Sequence, residues 1–153
     1  MDIEIIPYSE EYRKHFTELN VRWVEKYFVL EPLDIEILNN PKEHIIDKGG
    51  SIYFAKMGDT IAGTFALISL GAGVFELSKM TVDEAFRGKK IANKMLEFCL
   101  TEAKKLNMSK IILYSNTTLQ PAIHLYKKFG FKEIPLGNSE YTRSDIKMEI
   151  DIP

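Results

Sequence analysis

Ile3, Ile5 and Ile6 make a short apolar run that Pro7 stops, which predicts an opening strand. Ser9 followed by Glu10 and Glu11 predicts a helix N-cap with acids on the positive helix end. Tyr12, Phe16, Leu19, Trp23 and Tyr27 then recur at helical spacing, predicting a helix that ends near Phe28 and packs that stripe on a core. Residues 29–50, with Pro32, Pro41 and the Gly49-Gly50 pair around ILNN and EHII, predict short helical turns joined by loops. From Ser51 the period changes. SIYFAKM, a Gly58-Asp59 turn and TIAGTFALISL predict two antiparallel strands, and VFELSKMTV (74–82) a third. Ile91, Met95, Cys99, Ala103 and Leu106 form the clearest helical stripe in the chain, flanked by Ala92 and Leu96. IILYS (111–115) predicts a buried strand, TLQPAIHLYKKFG a helix with Gly130 past its end, and FKEIPL and RSDIKMEIDI closing strands. The predicted order is β-α-α-β-β-β-α-β-α-β-β, an α+β arrangement.

A length of 153 residues corresponds to about one domain, so residues 1–153 are expected to form a single one. With 45% hydrophobic and 27% charged residues, disorder and fibrous repeats are excluded. The formal charge of −2 is no footprint for gripping duplex nucleic acid. The average hides an asymmetry, because residues 79–132 carry 11 Lys/Arg against 4 Asp/Glu. That excess is either a solvated surface or an attraction for a polyanionic ligand. The single cysteine, Cys99, lies in the apolar stripe and suits a reducing compartment, and MDIEIIPYSEEY lacks the basic start and apolar core of a signal peptide. The longest uncharged run is interrupted by glycines and too short for a membrane span. A cytoplasmic protein without membrane contact is the expectation.

The most informative junction leads from VFELSKMTV through DEAF into Arg87-Gly88-Lys89-Lys90-Ile91-Ala92 at the start of the strong helix. A strand entering a helix through a small-residue turn presents unpaired backbone N–H groups beside the positive end of the helix dipole, a seat for a pyrophosphate. Gly88 permits close approach, and Arg87, Lys89, Lys90 and Lys94 add positive charge. G-x-x-x-x-G-K-[ST] and G-x-G-x-x-G are both absent, which lowers ATP and NAD as candidates.

Leu77, Met80 and Val82 followed by Arg87-x-x-Lys90-x-Ala92 resemble the L-x-x-M-x-V strand and the Q/R-x-x-G-x-G/A signature of the GNAT superfamily of acyl-CoA-dependent N-acyltransferases. Pro121-Ala122-Ile123-His124-Leu125-Tyr126-Lys127-Lys128-Phe129-Gly130-Phe131 is similar to that family's A-I-x-L-Y-x-K-x-G-F. The resemblance covers most of the chain. It implies a mixed, mostly antiparallel sheet of about seven strands flanked by helices, with acetyl-CoA in a V-shaped gap between strands 74–82 and 110–115, and no metal. It also implies that Met80 and Val82 pair with the pantetheine arm, that Arg87, Gly88, Lys89, Lys90, Ile91 and Ala92 hold the pyrophosphate, and that Tyr126 protonates the leaving thiolate. Lys90 replaces the family's central glycine, and as a first-turn helical residue it is expected at negative φ. Leu119 stands where many relatives have Asn; Asn116 either takes over a pantetheine contact, helps hold the splayed strands or caps the turn.

The resemblance places Glu76 beside the thioester as general base through water, its plainer reading being a salt-bridged strand residue. His124 points away from Tyr126 around the helix and is read as a filler. Tyr27, Phe28 and Glu31 are the candidate acceptor-binding residues. Glu31, Asp34 and Glu36 make either an acidic wall for a cationic amine or an ordinary solvated loop, and Tyr27 and Phe28 either cation–π walls or core. Tyr141 and Arg143 precede the last strand, and an inward Arg143 would contradict a purely cationic pocket. The implied activity is acetyl transfer from acetyl-CoA to a primary amine of a small molecule or peptide, by direct attack in a ternary complex. The alternatives are a catalytically silent acyl-CoA sensor and an interaction domain. A homodimer is compatible with the sequence.

Overall fold

The computed structural model describes residues 2–137 and 143–153. In chain order it contains β1 (Ile3–Pro7), α1 (Arg13–Tyr27), α2 (Pro32–Asn39), α3 (Pro41–His44), β2 (Ser51–Met57), β3 (Thr60–Gly71), β4 (Val74–Val82), α4 (Ile91–Lys105), β5 (Lys110–Ser115), α5 (Gln120–Lys128), β6 (Lys132–Ile134) and β7 (Ile146–Asp151). The seven strands form one sheet in the order β1-β2-β3-β4-β5-β7-β6, with every pair antiparallel except β4–β5. The α+β expectation holds, and the short turns expected over 29–50 are α2, α3 and a 3-10 turn at Ile46–Lys48.

Both faces of the sheet are covered. Phe16, Leu19, Ile37, Leu38, Ile52 and Phe54 form a buried cluster beneath α1 and α2. Tyr53, Ala55, Phe65, Met95, Cys99 and Ile111 belong to a larger one that includes α4. Neighbouring residues of β2 thus serve opposite clusters, as strand pleating requires. Residues 61–67 of β3 are buried throughout, which explains why TIAGTFALISL reads as a continuous apolar run.

Two local expectations are corrected. Ser9 caps nothing with its side chain: its carbonyl accepts from Tyr12 N–H at 2.9 Å, a 3-10 turn spans Glu10–Tyr12, and the α-helix starts at Arg13. The core face of α1 comprises Phe16, Leu19, Asn20 and Val24, while Trp23 is only half-buried and Tyr27 remains 38% exposed. The far end of the helix has turned away from the sheet core.

The sheet opens at its only parallel joint. β4 and β5 pair at Val74–Lys110, Phe75–Ile111 and Glu76–Ile112 and then part, while each keeps its outer neighbour. β5 continues to Ser115 along β7, and β4 continues to Val82 along β3. In β4, Lys79 and Met80 together oppose Phe65, a bulge in which Lys79 takes φ +57°. A bulge bends its strand and increases the local twist. Here it bends β4 just beyond its last rung with β5.

Lys90 is at φ +60°, ψ +31°, left-handed, and not at the negative φ expected of it. It is the residue before α4, not a first-turn residue, and together with Gly88 at φ +78° it swings the chain from the turn into the helix. A Cβ in this region costs about 1–2 kcal/mol, of which glycine's greater unfolded-state freedom would offset about 0.5–1. Lys90→Gly is therefore expected to raise the urea unfolding free energy by roughly 0.5–1 kcal/mol. A loss of stability would show that the lysine side chain makes good the strain.

Candidate acyl-transfer site

A cavity of about 640 Å³ fills the parting of β4 and β5. Leu77 to Val82 of β4 line one side, Tyr114 and Ser115 of β5 the other, and Leu125 and Tyr126 of α5 close it. Beyond Glu76 the β5-facing edge of β4 has no strand beside it among the described residues, so Met80 and Val82 are placed to offer backbone groups to an extended ligand, which fits a pantetheine arm. At one end lie Arg87, Gly88 and Ala92 of the turn into α4. A Cβ on Gly88 would meet nothing within 4 Å, so the approach to its backbone is open. Lys89 and Lys90 are exposed beside it, and Ile91 buries its side chain in the core while its backbone begins α4. Open backbone at a helix N-terminus ringed by cations fits a pyrophosphate. In this structure Arg87 donates to the Tyr27 hydroxyl at 2.8 Å and lies 3.8 Å from Glu84, which also pairs with Lys26.

Tyr126 lies between the cavity and the apolar core and packs on Phe131 with ring centroids 5.9 Å apart. Burial pushes its phenol up to about 12, so it is protonated at neutral pH. Glu76 is buried, lines the same cavity and stands on the last rung before the strands part. Asn116 also lines the cavity, with its side chain engaged by protein: Nδ2 donates to the Arg143 carbonyl at 2.6 Å, and Oδ1 accepts from Thr118 N–H and hydroxyl at 2.9 and 2.7 Å. It thus caps the turn after β5 and ties that strand to the segment entering β7. His124 is exposed and outside the lining. Cys99 is fully buried, with its thiol pushed up to about 12 by burial, and is no nucleophile.

The opposite wall comes from α1, α2 and the segment before β7. Trp23, Tyr27 and Phe28 line it, with Trp23 5.5 Å from Tyr27 and 5.7 Å from Phe28 between ring centroids. Asp34, wholly buried at the N-terminus of α2, accepts from Glu31 N–H at 2.9 Å and from both Arg143 guanidinium nitrogens at 2.8 Å. Arg143 also reaches Glu31 at 2.9 Å, and the Lys79 ammonium is 3.5 Å from Asp34. Burial alone would raise the Asp34 carboxyl; the Arg143 guanidinium, the Glu31 amide and Lys79 together hold it below its ordinary 3.8. Desolvation pulls Lys79 down against the attraction of Asp34.

The acidic loop is therefore no open wall for a polycation. Arg143 faces inward and binds two of its acids, while Glu36 points outward and Glu31 stands behind the cavity lining. Tyr141 lies outside the described residues. Sequence reasoning missed Lys79 and Trp23. A second charged residue beside Glu76 within the strand FELSKMTV was the available signal for the first; nothing distinguished the second from core.

A strand pair that opens beside a helix N-terminus, with a half-buried phenol at the opening, makes an α+β fold with a gap between two sheet strands. The family model "Acetyltransferase (GNAT) family" matches residues 9–131, and the chain belongs to that family. It is 27% identical over 105 residues to the uncharacterized N-acetyltransferase YvbK of Bacillus subtilis, covering 67% of this chain and 68% of that one. Matches to several other curated N-acetyltransferases span about half of their length. The fold is that of a GNAT acetyltransferase from Staphylococcus aureus Mu50 (TM-score 0.88, 24% identity, 99% and 100% of the two chains). It is also that of a spermidine N-acetyltransferase from Vibrio cholerae crystallised with CoA and spermine (0.78, 21%, 98% and 95%). Among the described residues no helix is long and apolar enough to cross a membrane.

Asp34→Ala would leave Lys79 and Arg143 facing each other, and is expected to cost about 3–5 kcal/mol at pH 7. Because the folded carboxyl lies below its ordinary 3.8, the stability it contributes is complete above that value and is lost as pH falls through the folded one. Urea unfolding of both proteins from pH 7 to pH 3 checks this, the gap between them narrowing only in the acid range. A gap independent of pH would contradict the ion-pair account.

Proposed function

We propose that this domain transfers the acetyl group of acetyl-CoA to a primary amine by direct attack within a ternary complex. Acetyl-CoA would supply the activated thioester, held by Met80 and Val82 along β4 and by the turn Arg87-Gly88-Lys89-Lys90-Ile91-Ala92. The observation that carries the reading is the position of Tyr126, whose side chain lines the cavity beside the parted strands where the cavity meets the core. Its hydroxyl donates the proton required by the departing thiolate. Glu76, on β4, takes the proton that the acceptor amine gives up, through water. Asn116 supports the site by pinning the end of β5 and leaves the pantetheine contact to the β4 backbone. Trp23, Tyr27 and Phe28 bound the acceptor, with Glu31 acting through Arg143. The buried Cys99 favours direct transfer over a covalent relay, and, as the only cysteine, suits a reducing cytoplasm.

Tyr126→Phe is expected to lower kcat by roughly 10²–10⁴-fold with acetyl-CoA affinity unchanged, since the hydroxyl acts only as the thiolate leaves. Thiol release gives kcat, and the rise in Tm with acetyl-CoA, with ATP as polyanion control, gives binding. An unaltered kcat removes Tyr126 from the mechanism. Acetyl-CoA binding without thiol release for any amine would make the domain a silent sensor.

A further inference from the structure

We propose that Lys26 and Tyr27, at the end of α1, are positioning residues for the cofactor: Lys26 draws Glu84 off the Arg87 guanidinium, and Tyr27 holds that guanidinium at the pyrophosphate seat. This rests on the acetyl-CoA reading above. Arg87 follows a 3-10 turn at Glu84–Phe86 and lines the end of the cavity beside Gly88 and Ala92. Its side chain is 52% exposed, so packing alone does not fix it. Glu84, three residues back, is placed to compete with a phosphate for it. The contacts divide that competition. Glu84 Oε1 is hydrogen-bonded to the Lys26 ammonium and lies 3.8 Å from Arg87 Nη2, beyond hydrogen-bond distance. Arg87 Nη2 instead donates to the Tyr27 hydroxyl at 2.8 Å. A phenol accepts without bringing the full negative charge of a carboxylate, so the guanidinium is oriented and stays a cation toward an anionic ligand.

The way the turn is attached supports the same reading. Within Glu84–Phe86 only Phe86 packs on the core, and it is half-buried. The end of α1 meets this segment at three points: Arg22 lies 3.9 Å from Asp83, Lys26 pairs with Glu84, and Tyr27 accepts from Arg87. All six side chains line a second hollow of about 280 Å³, and Tyr27 and Arg87 line the main cavity as well. The Tyr27–Arg87 bond therefore stands where the helix of the acceptor wall meets the cofactor turn. Exposed contacts of this kind contribute little to folding. Removing one is expected to leave the fold intact and to register in the binding of a charged ligand.

The test measures by calorimetry the affinity of CoA and of dephospho-CoA, which keeps the pyrophosphate and lacks the ribose phosphate. Tyr27→Phe retains the ring and removes the hydroxyl, and is expected to weaken both ligands by about three- to tenfold, the cost of immobilising an arginine that is otherwise free. In an Arg87→Met background the same change is expected to add less than about twofold, because two residues acting through one contact are not additive. Lys26→Met is expected to weaken both ligands by about three- to tenfold beside Glu84, and by less than about twofold when Glu84→Gln is already present. Unchanged affinity in Tyr27→Phe, or an equal loss in the Arg87→Met background, overturns the proposal and leaves acetyl-CoA binding standing. So does an equal loss from Lys26→Met with and without the Glu84 carboxylate. A loss seen with CoA and absent with dephospho-CoA moves Arg87 to the ribose phosphate and overturns the pyrophosphate assignment. If Tyr27→Phe does not fold, the Lys26 and Glu84 comparison decides. A wild-type protein that binds neither ligand overturns this proposal together with the parent reading.

Discussion

Everything at this site depends on two neighbouring strands that stop pairing. β4 and β5 share three rungs and then separate, although both continue for several residues with their outer partners intact. Backbone N–H and C=O groups inside a protein must find partners, and leaving them without any costs about as much as a lost hydrogen bond. Open strand edges within the sheet therefore favour a ligand that brings its own amides. The bulge at Lys79 and Met80 lies immediately past the last shared rung, so the feature that bends β4 away also sets where the ligand-binding edge begins. Folding and binding are specified by one irregularity.

The bulge has a second consequence, because Lys79 at φ +57° delivers its ammonium to Asp34. Asp34 belongs to α2, Lys79 to β4 and Arg143 to the segment before β7, so this ion cluster joins three elements distant in sequence. Burying charges is costly, and hydrophobic replacements often stabilise as well or better. What the cluster adds is orientation: the bidentate Arg143–Asp34 fork tolerates little rotation, and α2, with Glu31 at its entrance, is held against β4 and the segment before β7. Glu31 and Asp34 are consumed in that task, while Glu36 stays outside it.

Local patterns made most of the framework legible. Continuous apolar strands, the stripe Ile91, Met95, Cys99, Ala103 and the Tyr126 helix are each specified by their own residues, so reading them needs no knowledge of distant partners. Lys90 was misread for a local reason: a residue next to a helix looks helical, and only the path of the turn shows that it must be left-handed. Trp23 and Tyr27 keep the period of a buried stripe, yet the end of α1 overhangs an open gap where that stripe meets a cavity instead of a core. The ion cluster was illegible for another reason. Its members lie 45 and 64 residues apart along the chain, Asp34 to Lys79 to Arg143, and no spacing rule connects them.

Two contacts join the acceptor wall to the cofactor gap. Arg87, in the turn proposed to hold the pyrophosphate, donates to Tyr27 of the proposed acceptor wall, and Asn116, just past the end of β5, donates to the backbone of Arg143. Acyl transfer to an amine has few chemical demands beyond two proton transfers; most of its acceleration must come from holding amine and thioester at attack distance, where an error of about 1 Å can cost a hundredfold. In the proposed reaction Glu76 and Tyr126 cannot set that distance alone, because they stand on separate elements, β4 and α5. The two cross-links limit how far they part. The ion cluster, the Tyr27–Arg87 bond and the Asn116 clasp are thus best understood as one frame, whose function is to keep a deliberately unpaired region of the sheet at a fixed width.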